Sequence, residues 1–214
     1  ERPDLGPAYD DRAVRAAIEA SGLRFRRPRR FASEVAKILA GGEPVGWFQG
    51  RLEFGPRALG FRSILADPRP GWMKDRLNRD IKRREPFRPY APVVPRAEAS
   101  RFFENGFASP HMSFVTAVRP QYRALLPAIT HVDGTARLQT FDDDTPGIAA
   151  LREVIAAFDR RAGMPVLLNT SFNIAGEPIV CAPADALSVL ARTDLRHLAI
   201  GPYLVDGPGA GGAP

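Results

Sequence analysis

The chain has 214 residues, a formal net charge of +6, 44% hydrophobic and 25% charged residues, a composition that fits one globular domain with a full core and excludes a disordered or fibrous chain. It has no run of eighteen apolar residues and no signal-peptide apolar centre, so no membrane span or secretion signal is expected. The single Cys181 cannot close an internal disulfide, which fits a reducing cytoplasm, and His111, His131 and His197 lack metal-ligand spacing, so no structural metal is expected.

Residues 1–30 read as a connector that carries one short helix, capped by Asp10 or Asp11, running through Val14 and Ile18 and ending near Gly22. The arginines from Arg24 to Arg30 then read as a solvated basic stretch. A helix is expected from Ser33 to Ala40, with Gly41-Gly42 as its stop, and a strand from Pro44 to Phe48. Met73, Leu77 and Ile81 recur at four-residue spacing and predict an amphipathic helix over 72–81. The segment from Ile81 to Pro92 is too rich in proline for a helix and reads as a rigid extended stretch, with Lys82, Arg84 and Arg88 on one side by alternation. Strands follow at Met112–Val118 and Ala136–Phe141. The longest helix carries Ile148, Leu151, Ile155 and Phe158 and ends near Gly163; a buried strand then runs from Pro165 to Leu168. A helix starts at Pro183, His197–Val205 is a closing strand, and 207–214 is a flexible tail. Alternating helices and strands with few hairpins predict an α/β fold built on a mixed sheet, with the main domain at 31–206.

Three stretches concentrate polar chemistry. In Gly50-Arg-Leu-Glu-Phe-Gly-Pro-Arg-Ala-Leu-Gly60, Arg51, Arg57 and Arg62 surround a Gly-Pro turn. Guanidinium forks held there suit phosphate or carboxylate, and Arg57, stiffened by Pro56, is the leading candidate. A surface ion-pair cluster with Glu53 and Asp67 explains the same letters. Lys82, Arg84 and Arg88 on one face repel one another unless they share an anion, polyphosphate being an obvious guest; a protected basic edge strand is the plainer reading. Asn169, Ser171 and Asn173 follow a buried strand, where ligands of open α/β sheets tend to bind, and they also suit a simple polar turn. His131 and Asp133 form a weak His-x-Asp signal, and Arg137 is a further phosphate contact.

Gly-Arg-Leu-Glu-Phe-Gly-Pro-Arg-Ala-Leu-Gly, Arg-Glu-Pro-Phe-Arg-Pro-Tyr-Ala-Pro, Thr-His-Val-Asp-Gly-Thr-Ala-Arg and Leu-Leu-Asn-Thr-Ser-Phe-Asn, in this order between Val45 and Val205, resemble the C-terminal domain of the O-carbamoyltransferases that modify antibiotics and nodulation factors. The resemblance implies a YrdC-like twisted mixed β-sheet flanked by helices, in which Lys82-x-Arg84 and Ser171-x-Asn173 match paired motifs. It also implies that carbamoyl phosphate and ATP, with Mg²⁺, become carbamoyl-adenylate on this domain. Arg57, Lys82, Arg88 and Arg137 would form the catalytic cation array; Arg84, Ser171 and Asn173 would contact the nucleotide, with Asn169, His131 and Asp133 as further substrate contacts. A metal-binding N-terminal domain, in the same or a separate chain, would then move the carbamoyl group to a hydroxyl. That domain has no counterpart here, so full transfer by this chain alone is not expected. Nucleic acid is not the expected partner, although Trp47, Phe48, Phe87 and Tyr90 among the cations keep an RNA- or polyanion-binding module as the alternative, and a nucleotide-binding domain without turnover as a third.

Overall fold

A computed structural model describes residues 3–210. Nine strands form one mixed sheet: β1 (Phe25–Arg26), β2 (Val45–Phe48), β3 (Arg62–Ala66), β4 (Ala91–Pro95), β5 (Phe114–Ala117), β6 (Thr135–Phe141), β7 (Leu167–Ser171), β8 (His197–Ile200) and β9 (Tyr203–Asp206). Their order is β1-β9-β8-β2-β3-β7-β4-β6-β5. The β2–β8 and β4–β6 pairs are parallel and the others antiparallel. This is the twisted mixed sheet flanked by helices that the sequence predicts.

Side chains alternate between the two sheet faces, and each face has its own core. Val45, Trp47, Leu65 and Leu167 pack with Val35 and Leu39 of α2 (Phe31–Ala40), and with Leu151, Ile155 and Phe158 of α6 (Ala149–Ala162). Phe48, Ile64, Leu168 and Leu198 face the other way, toward Val14 and Ile18 of α1 (Asp11–Ser21) and Leu187 and Leu190 of α7 (Pro183–Arg192). Burial on both faces explains why β2 reads as an unbroken apolar run and not as an alternating one. The helix ends are chemically marked. Asp10 accepts a bond from the Ala13 amide and caps α1, while Gly22 and Gly163 close α1 and α6 in the left-handed region.

Several elements differ from the sequence reading. The segment read as a connector is structured: α1 packs into the core, and Phe25–Arg26 pairs with β9. The closing strand is a hairpin, β8 and β9 turning at Gly201 with φ 51°. Strand β5 starts only at Phe114, because Met112 sits at φ 53°. The polar residues Asn169 to Ser171 belong to β7 itself. The tail expected at 207–214 lies partly outside the described residues.

The helix over 72–81 buries Met73, Leu77 and Ile81 as the spacing requires. Only Met73–Arg76 (α3) is α-helical, however, and Leu77–Lys82 is a π-helical turn ended by Arg83 at φ 50°. The two remaining helices, α4 (Arg96–Phe102) and α5 (Pro120–Arg123), are short connectors beyond β4 and β5.

Gly46, in the middle of β2, is packed tightly by side chains from the end of β7, the segment before β8 and β8 itself. A Cβ there would lie 2.8 Å from Phe172 and 3.1 Å from Leu195 and Leu198. Gly46→Ala is expected to cost roughly 1–3 kcal/mol by overpacking, read as a lower urea midpoint with unchanged slope.

Candidate active site

One end of the sheet opens into a cleft of about 800 Å³. Its walls are the Pro56–Ala58 turn, the 82–91 segment, Arg137 on β6 and residues 169–176 at the end of β7. Six cationic side chains line it (Arg57, Lys82, Arg83, Arg84, Arg88 and Arg137), and Glu85 is the one acidic residue lining it among those described. Elsewhere arginines pair with carboxylates, as Arg69 does with Asp67, Arg76 with Glu43 and Arg192 with Glu177. Among the described residues no such ion pair involves Arg57, Arg84, Arg88 or Arg137. An open cleft with unneutralised cations from three segments is an anion site by its electrostatics.

The Arg57 turn is pinned from below. Glu53 Oε1 accepts from the amides of Leu59 (2.8 Å) and Arg62 (3.2 Å). Asn169 Nδ2 donates to Ala58 O (3.2 Å) and Gln139 Nε2 to Leu59 O (2.9 Å). Glu53 is buried, and that burial raises its carboxyl above the usual range.

Arg62 is not part of the clamp. It is fully buried, donates to the carbonyls of Gln49 (2.8 Å) and Gly50 (3.2 Å), and lies 3.5 Å over the Phe48 ring. Burial pushes it down to about 10. Arg51 turns to Leu5 O instead. Neither the expected triple clamp nor a Glu53–Asp67 ion-pair cluster forms, because the carbonyls of 49, 50 and 5 take up the flanking guanidiniums.

Lys82, only 2% exposed, reaches across the cleft floor. Its Nζ donates to Ser171 O (2.7 Å), Ser171 Oγ (3.1 Å) and Asn173 Oδ1 (2.5 Å). Ser171 Oγ also donates to Asn173 Oδ1 (2.7 Å), and Asn173 Nδ2 donates to Glu177 O (2.6 Å). Lys82, Ser171 and Asn173 are therefore brought together, but bonded first to one another. Burial, and then the fields of Arg84 and Arg88, push Lys82 down to about 7, while the three oxygens favour its charged form.

Arg84 and Arg88 meet in the cleft by another route than β alternation. Asn78, buried in the π-helical turn, donates from Nδ2 to Pro86 O (3.2 Å) and Arg88 O (3.1 Å). Its Oδ1 accepts from Arg84 Nε (2.8 Å) and the Tyr90 hydroxyl (2.7 Å). One carboxamide thus folds residues 84–90 into a bent loop, so the expected extended stretch begins only at Ala91. Arg84 also lies 4.8 Å from the Tyr90 ring centroid. Arg137 is half-buried and is lowered by that burial and by Arg57 and Arg84, which makes it part of the same positive field.

His131 and Asp133 are not brought into this cleft. They line a smaller neighbouring cavity of about 200 Å³ behind Phe87, Pro89 and Tyr90. Asp133 Oδ1 accepts from the Thr135 amide (3.0 Å) and hydroxyl (2.7 Å), and His131 Nδ1 lies 3.2 Å from the same hydroxyl. The Thr-His-Val-Asp-Gly-Thr-Ala-Arg block is a polar turn, with Gly134 at φ 78°, that starts β6 and so delivers Arg137.

The carbamoyltransferase C-terminus family matches residues 36–206. This chain belongs to that family. Within it, the chain is 50% identical over 208 residues to nodulation protein NolNO of Sinorhizobium fredii, covering 95% of this chain and 30% of the relative. It is 39% identical over 192 residues to a 3'-hydroxymethylcephem-O-carbamoyltransferase of Amycolatopsis lactamdurans, covering 85% and 36%. A solved structure of full-length HypF in a phosphate- and nucleotide-bound form aligns at 18% identity and a TM-score of 0.49, over 78% of this chain and 21% of that one. The chain spans about a third of the length of these curated relatives.

The carbamoyltransferase C-terminal domain also uses Asn78 and Gln139, which the sequence reading passed over, and it gives Glu53 and Tyr90 other roles than the ion pair and the stacking surface considered for them. A polar residue between the core positions Leu77 and Ile81 was the visible signal for Asn78. Asn78→Ala leaves the Tyr90 hydroxyl and two carbonyls without partners and is expected to lower stability by roughly 1–3 kcal/mol, measured by urea unfolding.

Lys82 supplies a pH test. Its folded value of about 7 lies below the ordinary 10.5, so across that window the unfolded chain holds one more proton than the folded chain. Stability therefore rises as pH rises from 7 toward 10.5, at up to about 1.4 kcal/mol per pH unit. Lys82→Met is expected to flatten that slope in urea titrations; an unchanged slope would assign it to another group.

Proposed function

We propose that the cleft binds carbamoyl phosphate and ATP and forms carbamoyl-adenylate, as the C-terminal part of a longer cytoplasmic enzyme that carbamoylates a hydroxyl of a small molecule. The observation that carries this reading is the convergence of Arg57, Arg84, Arg88 and Arg137 on one cleft without carboxylate partners, in a carbamoyltransferase family chain. One relative, the 3'-hydroxymethylcephem-O-carbamoyltransferase, is by its name an enzyme that transfers a carbamoyl group to an oxygen.

The reaction consumes water as well as both phosphorylated substrates. The carbamoyl–phosphate bond opens to give phosphate and carbamate, a carbamate oxygen attacks the α-phosphorus of ATP, and pyrophosphate leaves. Two polyanions must approach within bonding distance, and fixed cations lower the cost of that approach. Arg57 and Arg137 flank the floor and hold one phosphorylated group; Arg84 and Arg88 hold the other from the loop that Asn78 folds. Lys82, committed to Ser171 and Asn173, fixes the wall between them and adds its charge from beneath.

Mg²⁺ would arrive on the ATP phosphates and neutralise part of their charge. Glu85 is the one carboxylate lining the cleft, and no group of three or more His, Cys, Asp or Glu residues suited to a metal occurs among the described residues. The described residues therefore supply no cage of their own for the ion.

Incubation of the chain with ATP, Mg²⁺ and carbamoyl phosphate is expected to give pyrophosphate and an adenylate detectable by mass spectrometry, without carbamoylated alcohol. Arg57→Ala and Arg137→Ala are each expected to weaken binding of carbamoyl phosphate by about tenfold or more, the scale of a hydrogen bond to a charged group. A folded chain that binds neither substrate, or one that instead binds RNA with a steep salt dependence, would overturn the reading.

A further inference from the structure

Arg192 does not line the cleft, yet it is bonded to two of its walls. It is the last residue of α7, a helix anchored in the core by Leu187 and Leu190. Its guanidinium holds Glu177 with both arms, Nη1 to Oε1 (2.9 Å) and Nη2 to Oε2 (3.2 Å), while Nε donates to Ser188 Oγ (3.1 Å). Its carbonyl oxygen accepts from Arg83 Nη2 (2.6 Å). Arg83 ends the π-helical turn at φ 50°, a conformation in which glycine is the ordinary occupant. The long side chain kept in that strained position is what reaches α7. Arg192 therefore ties down the π-helical turn through its backbone oxygen and the 173–177 turn through its side chain.

The same two walls are joined again inside the cleft. The Lys82 ammonium has three protons, and Ser171 O, Ser171 Oγ and Asn173 Oδ1 take all three. Asn173 Oδ1 also accepts from Ser171 Oγ (2.7 Å). If one of these groups turns to an anion, it must first give up a bond to its neighbour, so this inner joint loosens as a ligand arrives. The outer joint does not. Asn173 Nδ2 donates to Glu177 O (2.6 Å), and the amide keeps its orientation for as long as the Glu177 backbone stays in place. The Arg192 fork fixes that backbone to a helix of the core.

We propose that Arg192, with Glu177 and Arg83, is a positioning residue. It keeps the two walls at their spacing while Lys82, Ser171 and Asn173 exchange their mutual bonds for bonds to a bound polyphosphate. The inference rests on the reading of the cleft as a site for phosphorylated substrates, and it adds a latch that touches neither substrate. Its effect is preorganisation: a turn held in place beforehand does not have to be ordered by the ligand. Exposure separates this role from ordinary stabilisation. The Glu177 and Arg192 side chains are 39% and 47% exposed, and exposed ion pairs contribute little to folding. A pair with no positioning role would leave binding and unfolding both nearly unchanged, whereas the latch costs affinity and spares stability.

ATP binding to the purified chain, measured calorimetrically with urea unfolding alongside, tests the latch. Glu177→Gln and Arg192→Met are each expected to weaken ATP binding about fivefold or more, the scale of ordering side chains on binding, with the urea midpoint unchanged. The double variant is expected to lose no more than either single variant, because both act through one bond. Arg192→Lys, which keeps the charge but not the fork, is expected to recover part of the loss. Hydrogen exchange reads the turn directly. The Ala175 amide, which donates to Lys82 O (2.9 Å), is expected to stay protected in the ATP-bound wild type and to exchange in ATP-bound Glu177→Gln. Wild-type affinity in both single variants, or additive losses in the double variant, would overturn the latch and leave the cleft's proposed function standing. Failure of the wild type to bind ATP or carbamoyl phosphate would overturn both.

Discussion

The ammonium of Lys82, enclosed by two oxygens of Ser171 and one of Asn173, ties together two walls of the cleft that lie eighty-nine or more residues apart in the chain. A buried charge is tolerated only when its donors are met, so the end of the π-helical turn and the end of β7 must stay in register with each other. The backbone reinforces the tie, since the amide of Ala175 donates to Lys82 O (2.9 Å). From that joint the 84–90 loop leaves in one direction and the 173–176 turn in the other, and the cleft is the space between them.

Around this joint the fold faces a second constraint: several cations must be held close together without being neutralised. A carboxylate would orient an arginine well, but it would also cancel the charge that an anionic ligand needs. The cleft is instead organised by neutral groups. Asn78 orients Arg84 through an amide oxygen and shapes the backbone under Arg88. Asn169 and Gln139 hold the carbonyls on either side of the Arg57 turn. The one acid in this scaffold, Glu53, is buried beneath the turn and bonds backbone amides. Away from the cleft the same residue type, arginine, is paired with Asp67, Glu43 or Glu177. The contrast in partners marks the site more clearly than the count of arginines does.

The two lysine- and arginine-bearing blocks also serve different ends than their charges alone suggest. Lys82 spends its protons on the protein, and its contribution to an anion is through position and field. Arg62, equally basic in the sequence, is folded inward over Phe48 and braces the turn from Gln49 to Gly50. The His131–Asp133 turn acts on the cleft at one remove, by starting the strand that carries Arg137.

Local patterns in the sequence determined the longer helices and part of the sheet, but not α4, α5, β1 or β3. The spacing of Val14 and Ile18, of Leu151, Ile155 and Phe158, and of Leu187 and Leu190 repeats within one or two turns, and Asp10, Gly22, Gly163 and Pro183 mark the ends by local chemistry. The Gly-Pro turn that displays Arg57 was legible for the same reason, as was the polar end of β7. The tertiary structure alone decided which basic residues face the cleft, that Leu77–Lys82 takes a π turn, and that β8 and β9 fold into a hairpin. Those outcomes depend on single bonds between distant groups: Asn169 to Ala58 across 111 residues, Gln139 to Leu59 across 80, Lys82 to Asn173 across 91. Such bonds have no period and leave no local signature, so only packing the sheet brings their partners into reach.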